Sequence, residues 1–280
     1  MTATAADRWR DALEAWAIPE EITSRVQGSP WVLPVDVFGR RADHSLAQPS
    51  GVSYEVAAGA LPPNGTVLDV GAGAGAASLP LARWAGATQI IAVDANESML
   101  DAFRQRAAQV GVEVTTVLGR WPDVADQTPV ADVVVCHHVF YNVPDLAEFA
   151  LALDAHARTR VVVELPEAHP LRPLNPLWLR MHNLRRPDRP TVADAVAVLR
   201  EAGIRPQLRV WPRPERPEYP SFDELVAVTA QRLCLPPERS EELAAALLEL
   251  GVDPDHPRDL SPAGDNLVTV WWDPADTRTT

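Results

Sequence analysis

Residues Thr66 to Arg83, reading TVLDVGAGAGAASLPLAR, constrain this chain more than any other stretch. Val67, Leu68 and Val70 form a short apolar run after the turn signal Pro62-Pro63-Asn64-Gly65, the pattern of a strand buried on both faces. Asp69 sits near its carboxyl end, and Gly71, Gly73 and Gly75 follow with only alanines between them. From Ala76 the pattern turns helical, with Leu79, Ala82 and Arg83 before a stop at Gly86. Pro80 falls early in that helix, where a missing N–H costs little. Strand, glycine loop and helix make the first half of a nucleotide-binding βαβ unit. The glycines admit positive φ and let a ligand approach bare backbone, and the helix N-terminus offers unpaired N–H groups.

Two ligand classes use such a loop. Gly71-x-Gly73-x-x-Ala76 satisfies the relaxed dinucleotide fingerprint. Asp69-x-Gly71-x-Gly73-x-Gly75 instead resembles the first motif of the class I S-adenosylmethionine-dependent methyltransferases. That resemblance implies S-adenosylmethionine as cofactor, bound by Asp69, Gly71, Ala72 and Gly73 among others. The acidic residue two places before the first glycine separates the readings. It would repel a pyrophosphate, whereas the ammonium of a methionine moiety would be drawn to it, directly or through water.

Gln89 to Val93 reads as a second buried strand that ends at Asp94. An acid at that tip accepts from both ribose hydroxyls at once. A dinucleotide would use it in the same way, and a helix-capping acid before Asn96 is the structural alternative. In DANESML the resemblance implies that Ala95 borders the donor and that Met99 flanks the adenine; Met99 reads equally as plain core. Val112 to Leu118 is the third strand, left through Gly119-Arg120-Trp121-Pro122-Asp123. Members of the family commonly carry an acid at the place of Arg120. Here the base falls to Asp123, or to backbone groups around Arg120 and the Trp121 ring.

ADVVVCHHVFYNVPDL, residues 131–146, resembles the family's fourth strand and the segment after it, which borders both donor and acceptor. His137, His138 and Tyr141 are therefore the candidate catalytic residues, with His137 also a cofactor contact. Adjacent histidines on extended chain point to opposite sides, so one at most faces the reaction centre. That one reads as a general base or as a hydrogen-bonded core residue, with the lean toward His138. No third ligand stands at a metal-site spacing, so no metal is expected.

Residues 7–17 carry Trp9, Leu13 and Trp16 at helical spacing, residues 28–50 read as loop, and 51–60 as a helix. Arg160 to Leu165, Gln207 to Trp211 and Asn266 to Trp272 complete the strands, with a helix from Thr191, its N-cap, to Ala202. The connection 166–190 is long and embeds a short helix around Trp178 and Met181; Glu167, His169 and His182 on it are acceptor-site candidates. Helical stretches near 221–233 and 240–250 form a second insertion, read as a lid, a homodimer surface or packing.

A net charge of −13 argues against a nucleic-acid substrate. Arg172, Arg180, Arg185, Arg186 and Arg189 are the local exception, a salt-bridged face or a rim for an anionic acceptor. Two cysteines make no disulfide framework, the N-terminus has no apolar signal core, and no window has the roughly 18 apolar residues of a membrane span. A cytoplasmic enzyme is the resulting expectation. The fold expected is α/β: a doubly wound, mostly parallel, seven-stranded Rossmann-like sheet with its last strand antiparallel. Residues 1–50 would be an N-terminal helical arm or lid, and 51–280 a methyltransferase domain with insertions near 166–190 and 213–262. The expected reaction is methyl transfer from S-adenosylmethionine to a small-molecule acceptor, without nucleic acid or membrane. The alternatives are an NAD(P)-dependent oxidoreductase and a non-catalytic S-adenosylmethionine-binding protein.

Overall fold

The apolar runs become strands because each alternates side chains between two covered faces of one sheet. The computed structural model describes residues 3–24, 29–31, 33–214, 218–258, 260 and 266–274, and parts of the expected arm and of the 213–262 insertion lie outside these. Among them, β1 (Thr66–Val70), β2 (Gln89–Asp94), β3 (Glu113–Leu118), β4 (Ala131–His137), β5 (Ala157–Pro166), β6 (Gln207–Pro212) and β7 (Asn266–Trp272) form a single sheet. Its order is β3-β2-β1-β4-β5-β7-β6. The first five strands pair parallel, and β7 runs antiparallel to both neighbours. This is the doubly wound sheet expected. A dinucleotide-binding sheet has the order 3-2-1-4-5-6, so the strand slipped between β5 and β6 argues against the oxidoreductase alternative.

The helices are α1 (Ala5–Glu14), α2 (Glu20–Thr23), α3 (Val35–Ala47), α4 (Val52–Ala60), α5 (Leu79–Ala85), α6 (Glu97–Val110), α7 (Leu146–His156), α8 (Asn175–His182), α9 (Val192–Glu201), α10 (Phe222–Arg232) and α11 (Ser240–Glu249). Leu68, Val134, Cys136 and Val163 face the layer of α1, α7 and α9. Val67, Ala92, Val135 and Val162 face the layer built from α4, α5 and α6. None of the described helices is long and apolar enough to cross a membrane.

Two expectations need correction. Residues 28–50 are not simply loop, since α3 occupies Val35–Ala47 and buries Val37, Gly39, Ala42 and Leu46. The helix read at 7–17 begins earlier and ends at Glu14, because Thr4 and Asp7 close a reciprocal capping box at its start. Trp16, past its end, is buried all the same and donates its indole N–H to the Arg189 carbonyl at 2.6 Å. Helix α1 packs on α9 and α7.

β5 and β6 end, and β7 begins, at the carboxyl edge of the parallel strands, so both long insertions leave from that edge. Together with Trp16 and Ile22, α8, α10 and α11 form a separate helical core. The arginine cluster is a salt-bridged face: Arg172 pairs with Asp188, Arg180 with Glu249 and Arg189 with Asp194. Arg186 lies over the rings of Trp16 and Trp178 at 5.2 and 5.1 Å from their centroids.

Candidate active site

Strand parity places Asp69, Asp94, His137 and Glu164 on one face of the sheet at the carboxyl ends of four adjacent strands. The glycine loop over them is held by its own N–H groups. Those of Gly71 and Ala72 both donate to the Val93 carbonyl, at 2.9 and 3.0 Å. That of Gly73 donates to Asp94 Oδ2 at 2.8 Å, and that of Gly75 to the Ala72 carbonyl. The expected row of unpaired N–H groups is thus largely spent on fixing the loop, and α5 starts only at Leu79. What the loop offers a ligand is acidic, which suits a cationic group and opposes a pyrophosphate.

Asp69 is buried, 1% exposed. Its Oδ2 accepts the Ser78 hydroxyl at 2.6 Å, while Oδ1 has no hydrogen-bond partner among the described residues. Burial pushes its carboxyl up to about 7, with the nearby Asp94 charge adding to the effect and the Ser78 bond opposing it. A buried acceptor without a donor calls for one, and an ammonium or its water fits it. Gly73, at φ 52°, has nothing within 4 Å of where a Cβ would stand, so a ligand has an open path along its backbone. A Cβ on Gly71 would meet Val139 Cγ2 at 2.4 Å, so this glycine is needed for the close approach of the chain after β4.

The Asp94 carboxylate also accepts the Asn96 N–H through Oδ1 at 2.9 Å. An ionised carboxylate has about four acceptor sites, so both oxygens retain capacity for ribose hydroxyls. Helix capping itself belongs to Asn96, whose side chain accepts from Ser98 N–H. Met99 is buried in the first turn of α6, and Ala95 and Arg120 are exposed. Trp121 is turned inward. It lies in the core against α7, its indole N–H donating to the Phe149 carbonyl at 3.3 Å and its ring edge-on to His156.

Tyr141 is a correction. It is 3% exposed, its hydroxyl donates to the Pro166 carbonyl at 2.9 Å, and its ring stacks on Trp9. Burial raises its phenol well above the ordinary range, so it is not poised as a base. Two acceptor candidates are also structural. His169 stacks on Trp16 with centroids 3.8 Å apart, and burial lowers its imidazole to about 3. His182 bonds the Leu233 carbonyl at 2.6 Å. Glu167 accepts from the Asn266 amide at 3.3 Å.

The histidine pair departs from the expected alternation. His137 is the last residue of β4, but His138 adopts the left-handed conformation, φ 61°. The chain is not extended there, so both imidazoles border Glu164, on the neighbouring β5. His138 donates its backbone N–H to the Glu164 carbonyl at 2.7 Å, and its Nε2 lies 3.1 Å from Glu164 Oε1. Its side chain is 47% exposed, that of Glu164 only 12%. Burial acts to raise the Glu164 carboxyl, but the neighbouring histidines and a Ser53 hydrogen bond outweigh it and hold the group well below the usual range. His137 is pushed down by burial, and its Nε2 has no partner among the described residues. Sequence reasoning noted Glu164 only as a strand-end acid. Its partner Ser53, on the first turn of α4, carried no signal. Among the described residues no group of three or more His, Cys, Asp or Glu side chains is placed to hold a metal ion.

Comparison with known proteins agrees with this geometry. Residues 67–159 match the family model described as a methyltransferase domain. A protein-L-isoaspartate O-methyltransferase of Methylorubrum extorquens (strain PA1) is 31% identical over 112 residues, 39% of this chain. The match spans 46%, under half, of that relative's length. The solved structure of the YcgJ protein from Bacillus subtilis shares the fold at a TM-score of 0.53 and 18% identity, covering 82% of this chain and 98% of that one. A Galdieria sulphuraria protein, assigned provisionally as a sarcosine dimethylglycine methyltransferase, does so at 0.53 and 17%, covering 95% and 99%. The acidic glycine loop, the strand order and the matched model agree: residues 67–159 match a methyltransferase domain, and S-adenosylmethionine is the cofactor that such a domain uses.

Proposed function

We propose that this protein transfers the sulfonium methyl of S-adenosylmethionine to a small-molecule acceptor. The observation that carries the reading is the pair of acids beneath the glycine loop: Asp69 with an unpartnered buried oxygen, and Asp94 tied to Gly73 with acceptor capacity left. In this reading Asp69 receives the methionine ammonium or its water, Gly71, Ala72 and Gly73 give it bare backbone, and Asp94 accepts from the ribose. Met99 and Ala95 border the adenine. The donor supplies an already activated methyl group, so the protein's task is to hold acceptor and methyl in line.

The acceptor side belongs to the end of β4. His138 is the one histidine of the pair with a substantially exposed ring, and it is the group proposed to take a proton from the acceptor. The cap of α8, α10 and α11 is proposed to border the acceptor, because both insertions leave the sheet at the donor's edge. A net charge of −13 favours a small molecule over a nucleic acid.

Calorimetric titration of the full chain with S-adenosylmethionine, with S-adenosylhomocysteine and with reduced nicotinamide cofactor tests the reading. Saturable binding of the first two and none of the third is expected. Binding of the nicotinamide cofactor alone would overturn it. Donor binding without demethylated product across hydroxyl, amine and thiol acceptors would favour a non-catalytic binding protein.

A further inference from the structure

A run of polar groups, Trp211, Thr269 and Ser53, ends beside Glu164. The Trp211 indole N–H, which can only donate, gives to Thr269 Oγ1 at 2.9 Å. Thr269 Oγ1 and Ser53 Oγ stand 2.7 Å apart, both residues fully buried. Thr269 is the cross-strand neighbour of Glu164, which brings the Ser53 hydroxyl beside that carboxylate, where it favours the ionised form. Either hydroxyl of the Ser53–Thr269 pair can donate to the other, and a hydroxyl turned to the ionised Glu164 carboxylate can only donate to it. On the other side Glu164 Oε1 faces His138 Nε2 at 3.1 Å. An ionised carboxylate at that distance favours a hydrogen on Nε2.

We infer that Glu164 is the positioning residue of this site: set beside Ser53 and Thr269, it holds the proton of His138 on Nε2 and leaves Nδ1 as the base. The inference rests on the methyl-transfer reading above and deepens it. In the step, an acceptor O–H or N–H atom forms its bond to the methyl carbon as the carbon–sulfur bond breaks, with that electron pair returning to sulfur. The acceptor proton passes to Nδ1, and the resulting imidazolium keeps Nε2–H on the Glu164 carboxylate. Products are the methylated acceptor, the neutral thioether and a protonated His138, which then releases its proton to water. The left-handed backbone at His138 serves this arrangement, since an extended residue there would carry the ring to the opposite face from Glu164.

The same run also explains why Gly51 precedes α4. At φ 104° it lies where a Cβ would stand 2.3 Å from the Trp211 ring, so the first turn bearing Ser53 closes directly onto the Trp211 end of the run.

Imidazole-detected ¹H–¹⁵N spectra of the full-length protein, with His138 assigned by comparison with His138→Gln, test this. The parent should show a downfield His138 proton on Nε2, exchanging with water at least ~10-fold more slowly than an exposed histidine. Glu164→Gln removes the charge and should move that resonance upfield and speed its exchange several-fold. Ser53→Ala, which leaves Glu164 itself in place, should do the same to a smaller extent. A His138 proton on Nδ1, or a signal unchanged in Glu164→Gln, would overturn the inference. Titrating the same samples with S-adenosylmethionine separates the two ideas. A parent that binds no donor defeats the methyl-transfer reading while the spectra still decide the role of Glu164.

Discussion

The carboxylate of Asp94, at the tip of β2, accepts the backbone N–H of Gly73 at 2.8 Å, across the mouth of the glycine loop. One side chain thereby shapes the loop and lines the site that the loop encloses. Asp94→Ala should weaken S-adenosylmethionine binding by ~1.5–3 kcal/mol, the range of hydrogen bonds to a charged group. That is roughly a 10–150-fold rise in Kd. Because the Gly73 N–H also loses its partner, Asp94→Asn, whose amide oxygen still accepts, should fall between parent and alanine. Isothermal titration of the three proteins checks the order, and equal affinities would place the donor elsewhere.

The glycines divide by what their missing Cβ would meet. At Gly73 there is open space; at Gly75 it would press on Leu79 Cδ1 at 2.3 Å and on the Phe103 ring. Both have positive φ, so a side chain brings backbone strain of ~1–2 kcal/mol at either position. Gly73→Val should remain folded and lose donor binding, since its side chain enters the donor's path. Gly75→Val should instead lose most in thermal stability. Melting curves with and without S-adenosylmethionine separate the two: a Gly73→Val protein stabilised by the donor as the parent is would contradict the assignment.

The sheet was legible because its strands are short apolar runs punctuated by Gly, Pro and Asp, and because buried parallel strands tolerate little else. Asn266–Trp272 is read correctly to the residue. Helix α3 was missed for a physical reason. Proline and glycine generally break helices, yet Pro34 stands at the N-cap and Gly39 is buried where Arg106 crosses close by. The spacing Val35, Phe38, Ala42, Leu46 was the available signal. Asp69 and Asp94 announced themselves through position in a local motif. The link from Trp211 through Thr269 and Ser53 to Glu164 joins residues up to 216 apart, and only tertiary pairing creates it. His138 shows the limit most sharply, since the alternation rule assumes extended backbone and fails at the one residue that turns left-handed.

Asp69 makes a pH prediction whose sign can be worked through. Its carboxyl ionises near 3.8 in an unfolded chain and at about 7 when folded. A raised carboxyl is penalised when ionised, so the folded state loses stability as pH rises from the unfolded value toward about 7. The loss levels off above that, at about 4 kcal/mol for a shift of this size. The donor-free protein should therefore melt at higher temperature at pH 5.5 than at pH 8, as far as this group decides it. A cationic ligand group beside Asp69 reverses the preference, so S-adenosylmethionine affinity should rise with pH through the neutral range. Asp69→Asn should flatten both dependences. Donor affinity that falls with pH in the parent would sink this role for Asp69.

Tyr141 and His138 lie three residues apart and should respond to substitution in opposite ways. Tyr141→Phe strips the hydroxyl from a buried hydrogen bond and leaves the Pro166 carbonyl short of a donor. The expected cost is ~1–3 kcal/mol of stability, with donor affinity and turnover per folded molecule close to the parent's. His138→Asn replaces a half-exposed ring, so little stability should be lost. Once an acceptor is in hand, its turnover should drop by the ~10²–10⁴-fold typical of a lost general base, with the donor Kd nearly unchanged. His137→Asn, at a buried ring with an unpartnered nitrogen, should affect stability or donor binding before it affects the proton transfer. Measuring melting temperature, donor Kd and turnover together for the three variants resolves the assignment. Turnover intact in His138→Asn and lost in His137→Asn would move the base to the buried histidine, and turnover intact in both would leave methyl transfer here without a histidine base.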